Sequence, residues 1–453
     1  MEKTTKTINP FNSKILLNYQ YYNEIQVSEC LNISKEIFTY WKNRTIEERV
    51  NFIKTLVFTL TKQQHLLAKK CTLEMGKPIK QSMAEVEKCG LLCQYYIDNA
   101  ATFLSSKHIK TDASESFVTH EPLGVILGVM PWNFPYWQVF RFAIPAILAG
   151  NTVVVKHASN VSGCAQLIED IFIEAGFPKG VYQNLMISSD QVESVINNPI
   201  IKAVSLTGSE KAGASVASAA AKQIKKAVLE LGGSNAFIVC EDADLEKAIP
   251  IAVNARMQNT GQSCIAAKRF FVHQSLFKTF VNKFKEKVEA LKMGDPMLEE
   301  TEIGPLARID LAEDVEKQVN RSVKMGAKII TGGKRKEAFY EPTILTDVTT
   351  DMPVFNEEVF GPAVPVMSFS TFEEAAALSN KTSFGLGVTI FTEDIEGIKS
   401  KIPLFEEGAV FINAMVKSDP ALPFGGVKHS GYGRELAENG IKEFVNVKTI
   451  YIK

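Results

Sequence analysis

Within RMQNTGQSCIAAKR, residues 256–269, Cys264 sits between a polar turn and a run of small residues. A free cysteine there is either an apolar filler or a nucleophile, and the lead-in Asn259-Thr260-Gly261-Gln262 suits a loop that offers the sulfur to a cavity. In LELGGSN, Glu230 ends a strand ahead of a glycine pair. A carboxylate inside an apolar strand needs a partner or a job, and burial that raises its pKa fits it for general-base work. In PWNFP, 131–135, two prolines pin the backbone around Asn133. The pinned amide suits an oxyanion hole, or else the turn is a rigid aromatic corner whose asparagine caps the next helix. VSLTGSEKAG places Gly208 and Gly213 around a turn with Ser209 at a helix cap. That is either a phosphate seat or an ordinary capped helix, since the G-x-G-x-x-G fingerprint is missing. Lys156, at the end of TVVVKH, is either solvated or a second contact for phosphate or ribose.

The elements that must position these residues follow a clear rhythm. Residues 45–104 read as two long amphipathic helices broken at MGKP, where Gly76 and Pro78 stop the first. FVTHEPLGVILGVMP alternates and fills with β-branched residues, as strands do. From 136 to 240 helices and strands alternate. YWQVFRFAIPAILAG leads to TVVVKH, SGCAQLIEDIFIEAG to VYQNLMI, DQVESVINN to IKAVSLTG, and SEKAGASVASAAAKQI to KAVLELGG. Helices of this length between strands imply right-handed crossovers and an α/β fold with a mostly parallel, doubly wound sheet. A second α/β series runs from about 234 to 430. The final FVNVKTIYIK reads as an apolar terminal strand, which needs a partner edge.

A chain of 453 residues exceeds what one core serves, so two or three domains are expected. Its 50 basic and 51 acidic residues nearly balance, giving no electrostatic case for nucleic acid or an anionic membrane. LGVILGVM and FAIPAILAG are too short to span a bilayer, and MEKTTKTINPFNSK has no apolar signal core, so a cytoplasmic protein is expected. The seven cysteines form no regular framework and read as reduced thiols. Cys89 and Cys93 lack zinc-ligand companions, so no metal is expected.

PWNFP, LTGSEKAG, ELGG, NTGQSC, EEVFGP and PFGGVKHSGYGRE occur in an order and spacing that resemble the aldehyde dehydrogenase superfamily, from about residue 40 to 450. KHASN and MPWNFPYWQVFR are most similar to the short bacterial succinate-semialdehyde dehydrogenases. The resemblance implies a Rossmann-like cofactor domain from 1–103 and 123–231, with 431–442 packing back on it. It further implies a catalytic domain at 232–430 and oligomerisation strands at 104–122 and 443–453. Cys264 matches the nucleophile, Glu230 the base and Asn133 the oxyanion-hole amide. Trp132, Lys156, Ser159, Gly208, Ser209 and Leu231 match cofactor-contacting positions; His157 and Gly213 lie in the same segments and are candidates with them. Glu358 matches the acid that holds the nicotinamide ribose, and Phe360 packs beside that ring. The expected chemistry is oxidation of an aldehyde to an acid through a cysteine thiohemiacetal and thioester, in a homodimer or homotetramer.

Arg141 matches the arginine that binds the substrate carboxylate in succinate-semialdehyde enzymes, and a guanidinium fork suits a carboxylate. Ser418, in VKSDPALPFGG, falls near a substrate-contacting serine. Gln258 stands where some relatives carry a second arginine, which leaves room for glutarate semialdehyde or a broader range. Ala266 stands where some carry a second cysteine, so no local redox switch is expected. Betaine aldehyde, a cation, conflicts with Arg141. A CoA-acylating enzyme conflicts with Glu230, and a catalytically dead homologue conflicts with the retention of Cys264, Glu230 and Asn133. NAD-preferring relatives often have glutamate where this chain has Ser159. With Lys156 and His157 close by, NADP is expected to be preferred over NAD; the alternative is that Ser159 simply permits both.

Overall fold

The computed structural model describes residues 3–453. A six-stranded sheet runs in the order 431–432, 226–230, 201–207, 125–130, 152–157 and 182–184. All its neighbours are parallel except Gly431–Tyr432, which closes the edge against Leu229 and Glu230 in antiparallel register. The central strands, VILGVM and TVVVKH, are buried along almost their whole length because helices cover both faces. The long helix Ile46–Met75 begins at a reciprocal capping box formed by Thr45 and Glu48. It ends at Gly76, whose φ of +76° is the left-handed cap a side chain resists.

A second, seven-stranded sheet has the order 328–331, 343–346, 363–369, 267–273, 235–239, 388–391 and 410–412. Only its 328–331 edge is antiparallel. A stack of Phe237, Phe270, Phe284 and Phe391 fills one of its faces. The third sheet pairs the terminal strand Val445–Ile452 with Glu115–Pro122 along its whole length, from Val445 opposite Pro122 to Ile452 opposite Glu115. The partner edge expected for the terminal strand is thus supplied by the same chain.

FVTHEPLGVILGVMP does form two strands in different sheets, Glu115–Pro122 and Val125–Met130, divided where the resemblance separates 104–122 from 123–231. Gly124, at φ +140°, makes the break between them. Some sequence expectations need correction. VYQNLMI contributes only Tyr182–Asn184, at an edge. The hairpin Thr4–Ile8 with Ile15–Gln20 and the helix Glu24–Lys42 have no counterpart in the sequence reading. Among the described residues no helix is long and apolar enough to cross a membrane.

Candidate active site

The strand Val125–Met130 runs straight into PWNFP, so Asn133 stands at the carboxyl end of the parallel sheet. A distant carboxylate fixes this turn. Glu85 accepts hydrogen bonds from the N–H groups of Tyr136 and Trp137, at 2.8 and 3.0 Å, the buried amides at the N-terminus of the helix Trp137–Leu148 that have no partner within the helix. Lys77 pairs with that carboxylate and lies 4.0 Å from the centre of the Phe134 ring. Asn133 is then held from both ends: its Nδ2 donates to the Gln262 carbonyl at 3.1 Å, and its own carbonyl accepts from Asn259 Nδ2 at 2.8 Å. An amide nitrogen has two hydrogens, so one N–H is left for another acceptor.

Cys264 lies between the helix Leu245–Met257 and the strand Ala267–His273, after a turn that departs from helical geometry. Asn259 and Thr260 both have φ 54° and ψ 34°, a region that a β-branched residue avoids. Gly261 follows at φ +73°, and a Cβ there would meet the Gly361 carbonyl oxygen at 2.5 Å. Surrounding bonds enforce the turn. Thr260 Oγ1 donates to the Gly304 carbonyl, Gln81 Oε1 accepts from the Asn259 N–H, and Gln262 Oε1 accepts from the Ala307 N–H. Lys268 completes it, donating to the carbonyls of Ser263 and Cys264 at 2.7 and 2.9 Å while pairing with Glu358 at 3.0 Å. Burial pushes the Cys264 thiol above its usual value, and the cations of Arg141 and Lys268 pull it back.

Glu230 ends its strand opposite Thr207 and is 2 % exposed. Neither of its oxygens has a hydrogen-bond partner. Its carboxyl rests against Gly425, where a Cβ would come within 2.7 Å of Oε1. Burial holds its pKa well above the carboxylate range, opposed by Arg141 and reinforced by Glu435.

A cavity of about 690 Å³ opens along the ends of the parallel strands and reaches Cys264. Trp132, Asn133, Lys156, Gly208, Ser209, Leu231, Glu358 and Phe360 all line it. Ser209 caps the helix Glu210–Lys222, whose N-terminal amides face the cleft end of the sheet, as anion sites require. Lys156 is 7 % exposed, and burial lowers its pKa, so an anion beside it would relieve a desolvated charge. Glu358 Oε1 accepts from the Gly233 N–H at 3.0 Å, and a Cβ at Gly232 would meet Oε2 at 2.5 Å. Phe360 packs edge-on against Trp132 at 5.7 Å. Buried Arg256 secures this segment by donating to the carbonyls of Val359 and Ala363. The size, the helix terminus, the lysine and the acid together fit a dinucleotide.

Several assignments change. His157 points inward, with Nε2 against the Pro135 carbonyl at 2.8 Å and Nδ1 accepting from the Ala158 N–H. Burial depresses its pKa to about 4, so it is neutral and is no counter-charge for a phosphate. Gly213 is a packing residue: a Cβ would strike the Leu231 side chain at 2.6 Å. Ser159 is exposed outside the cavity lining, beside Ala158, which does line it. Arg141, read as free for substrate, already has a carboxylate. It pairs with buried Glu435 and stacks on Phe424 at 4.5 Å. Ser418 is buried, and its hydroxyl accepts from Lys88 at 2.9 Å. The sequence reading missed Lys268 and Glu435; the signals were a lysine four residues after the cysteine at the start of a strand, and the acid closing GYGRE.

Residues 1–450 match the aldehyde dehydrogenase family. The chain is 48% identical over 449 residues to a probable NADP(+) succinate-semialdehyde dehydrogenase of Synechocystis sp., covering 98% of this chain and 99% of that one. It is 44% identical to a succinate-semialdehyde dehydrogenase [NADP(+)] of Mycobacterium avium, over 98% of this chain and 96% of the relative. The crystal structure of succinic semialdehyde dehydrogenase from Streptococcus pyogenes, in complex with NADP+ as the cofactor, superposes with a TM-score of 0.97 at 37% identity, over 99% of both chains.

Proposed function

The chain belongs to the aldehyde dehydrogenase family, and from that premise we propose that it oxidises succinate semialdehyde to succinate with NADP, NAD being the poorer cofactor. The observation that carries the reading is the meeting of Cys264, Asn133, Glu358 and Phe360 on one cavity of dinucleotide size. The names of its relatives supply the substrate and the cofactor.

Cys264 gives its proton to water and its sulfur attacks the aldehyde carbon, giving a thiohemiacetal whose oxyanion lies toward the free Asn133 N–H and the Cys264 backbone N–H. Lys156, Ser209, Leu231 and Glu358, with Trp132 and Phe360, line the cavity and would hold and orient the dinucleotide. A nicotinamide dinucleotide held there would supply the acceptor for the hydride of the aldehyde carbon. Glu230 then takes a proton from water, the hydroxide oxygen bonds to the thioester carbon, and the C–S bond breaks to release the acid and the Cys264 thiolate, which takes back the proton held by Glu230. Asn133 serves both tetrahedral stages. Arg141 lies on the substrate side of the thiol in this reading, its charge shared with Glu435.

The division of labour follows: 1–103 and 123–231, with 431–442, for the cofactor, 232–430 for catalysis, and 104–122 with 443–453 for assembly. The edge strand Val445–Ile452 supports a homodimer or homotetramer, since Val447 is 60% exposed on it and Tyr451 and Ile452 are exposed too. The seven free cysteines support a cytoplasmic setting.

A panel of aldehydes assayed by reduced-cofactor absorbance, with NADP and NAD, tests the reading. Succinate semialdehyde with NADP is expected to give the highest kcat/KM, and Ser159→Glu, whose longer side chain would reach from the exposed rim beside Ala158 toward the cavity, is expected to suppress NADP use selectively by repelling the 2′-phosphate. A tenfold preference of the parent enzyme for NAD, or for an uncharged aldehyde, overturns it.

A further inference from the structure

The acids that line the large cavity are each answered from outside it. Glu358 pairs with Lys268 at 3.0 Å, Asp190 with Lys3 at 2.5 Å and Glu193 with Lys222 at 3.6 Å, and none of the three lysines lines the cavity. Two cations do line it, Lys156 and Arg308. Lys156 belongs to the six-stranded sheet. Arg308 stands on the other wall, at the start of the helix Ile309–Lys324, whose Ala312, Val315 and Val319 pack into the core of the seven-stranded sheet with Phe271 and Ala363.

Arg308 breaks a local rule. It holds the N-cap position of its helix, with extended backbone at φ −153° and ψ 155°, yet its side chain caps nothing. A capping side chain must accept from the free amides, and a guanidinium has only donors. Its Nε and Nη2 donate instead to the two oxygens of Asp310, at 2.9 and 2.7 Å. That pair is open to water, with side chains 42% and 59% exposed, and an exposed pair shifts an equilibrium by no more than about fivefold. A guanidinium fork on the cavity wall is therefore held by a partner that a stronger anion can replace.

Its place along the cavity says which anion. The adjoining Ala307 N–H donates to Gln262 Oε1 at 2.9 Å, two residues before Cys264, so Arg308 borders the nucleophile's loop. Leu311, on the next turn of the helix, lines the cavity with it. A dinucleotide with its ring at Cys264 and its ribose at Glu358 presents the diphosphate as the next group outward. We propose that Arg308 exchanges Asp310 for the diphosphate of the bound dinucleotide, clamping it from the wall opposite the helix Glu210–Lys222. The planar fork suits two phosphate oxygens at once. This rests on the reading of the cavity as the dinucleotide site and adds to it a cation from the second sheet.

The test is calorimetric titration of the full-length protein with NADP, NAD and adenosine 2′-monophosphate, which lacks the diphosphate. Arg308→Gln is expected to raise the Kd of NADP and of NAD by the same factor, roughly 5- to 50-fold, the scale of partly exposed charge-assisted hydrogen bonds. Adenosine 2′-monophosphate should bind the variant as it binds the parent, and Arg308→Lys should recover part of the loss. Asp310→Asn, which removes the competing acid, should tighten both dinucleotides by up to about fivefold. An unchanged Kd for both dinucleotides in Arg308→Gln overturns the clamp. So does a loss confined to NADP, which would place Arg308 at the 2′-phosphate, or an equal loss with adenosine 2′-monophosphate, which would make the residue structural. Weaker dinucleotide binding by Asp310→Asn overturns it too, since the ion pair itself would then be the working unit. A parent protein that binds neither dinucleotide removes the cofactor reading, and the clamp falls with it.

Discussion

The proposed nucleophile, Cys264, and the proposed base, Glu230, are held in opposite ways. The turn before Cys264 is fixed by Asn133, Gln81, Gly304, Ala307 and Lys268, with Thr260 forced into a left-handed conformation. Glu230, buried as deeply, has two oxygens with no partner at all. The contrast follows from the two tasks. A nucleophile must present one atom at one place, so its loop is over-determined even at the expense of backbone strain. A base must take up a proton and release it, and a carboxylate tied by several donors would have its pKa driven down and could do neither efficiently.

The largest test of this contrast removes the group being presented. Cys264→Ala is expected to lower turnover by at least about 10⁴-fold, as loss of a nucleophile does, while dinucleotide binding by fluorescence or calorimetry stays near the parent value. Substantial activity in the purified variant would sink the mechanism.

Glu230→Gln should fall in two places at once. Rapid mixing should show a burst of reduced cofactor followed by turnover slowed about 10²- to 10⁴-fold, because acylation needs no water but hydrolysis does. Stability should move the other way. The folded state keeps Glu230 protonated above the pH at which the unfolded chain releases that proton, so the native state binds more protons and stability declines as pH rises through this window. Glutamine removes the decline. The stability of the variant relative to the parent, measured by urea titration, should therefore grow from acid pH toward alkaline pH. A flat difference would show that the carboxyl is ionised in the fold.

Lys268 joins the two halves of the site, since one ammonium meets the Cys264 carbonyl and the Glu358 carboxylate. Lys268→Met should reduce kcat/KM about 10- to 100-fold, the scale of lost charge-assisted hydrogen bonds. Its sharper signature is in pH. Burial already places the Cys264 thiol high, and deleting a cation that lowers it should shift the rising limb of kcat/KM to still higher pH. An unshifted limb would assign Lys268 to structure alone.

How much of this could be read from the chain depends on distance along it. Cys264, Glu230 and the PWNFP turn announce themselves because each breaks a local pattern: a polar lead-in, an acid in an apolar strand, paired prolines. The βα alternation carried the parallel sheet for the same reason. The groups that tune the site come from far away. Glu85 caps a helix that begins some fifty residues later, and Glu435 answers Arg141 from near the other end of the chain. Arg141 therefore looked free, and His157, adjacent to Lys156 in sequence, faces the opposite way because successive strand residues alternate. Residue type and spacing expose what a group can do; only the fold tells which charge has already been answered.

The smallest expected effect concerns the strain itself. A β-branched residue held left-handed costs about 1–2 kcal/mol, and glycine at Thr260 would relieve it. The same change loses the Oγ1 bond to the Gly304 carbonyl, about 0.5–1.5 kcal/mol, and adds glycine's backbone entropy, about 0.5–1 kcal/mol. These oppose each other, so Thr260→Gly should alter unfolding free energy by less than about 1 kcal/mol. Turnover should nonetheless fall, because a loop released from its forced conformation presents Cys264 less often in line with Asn133. Denaturant titration and steady-state assay on one preparation decide it. A large loss of stability would mean that the left-handed turn carries little strain, and unchanged turnover would mean that the nucleophile does not depend on the rigidity of its loop.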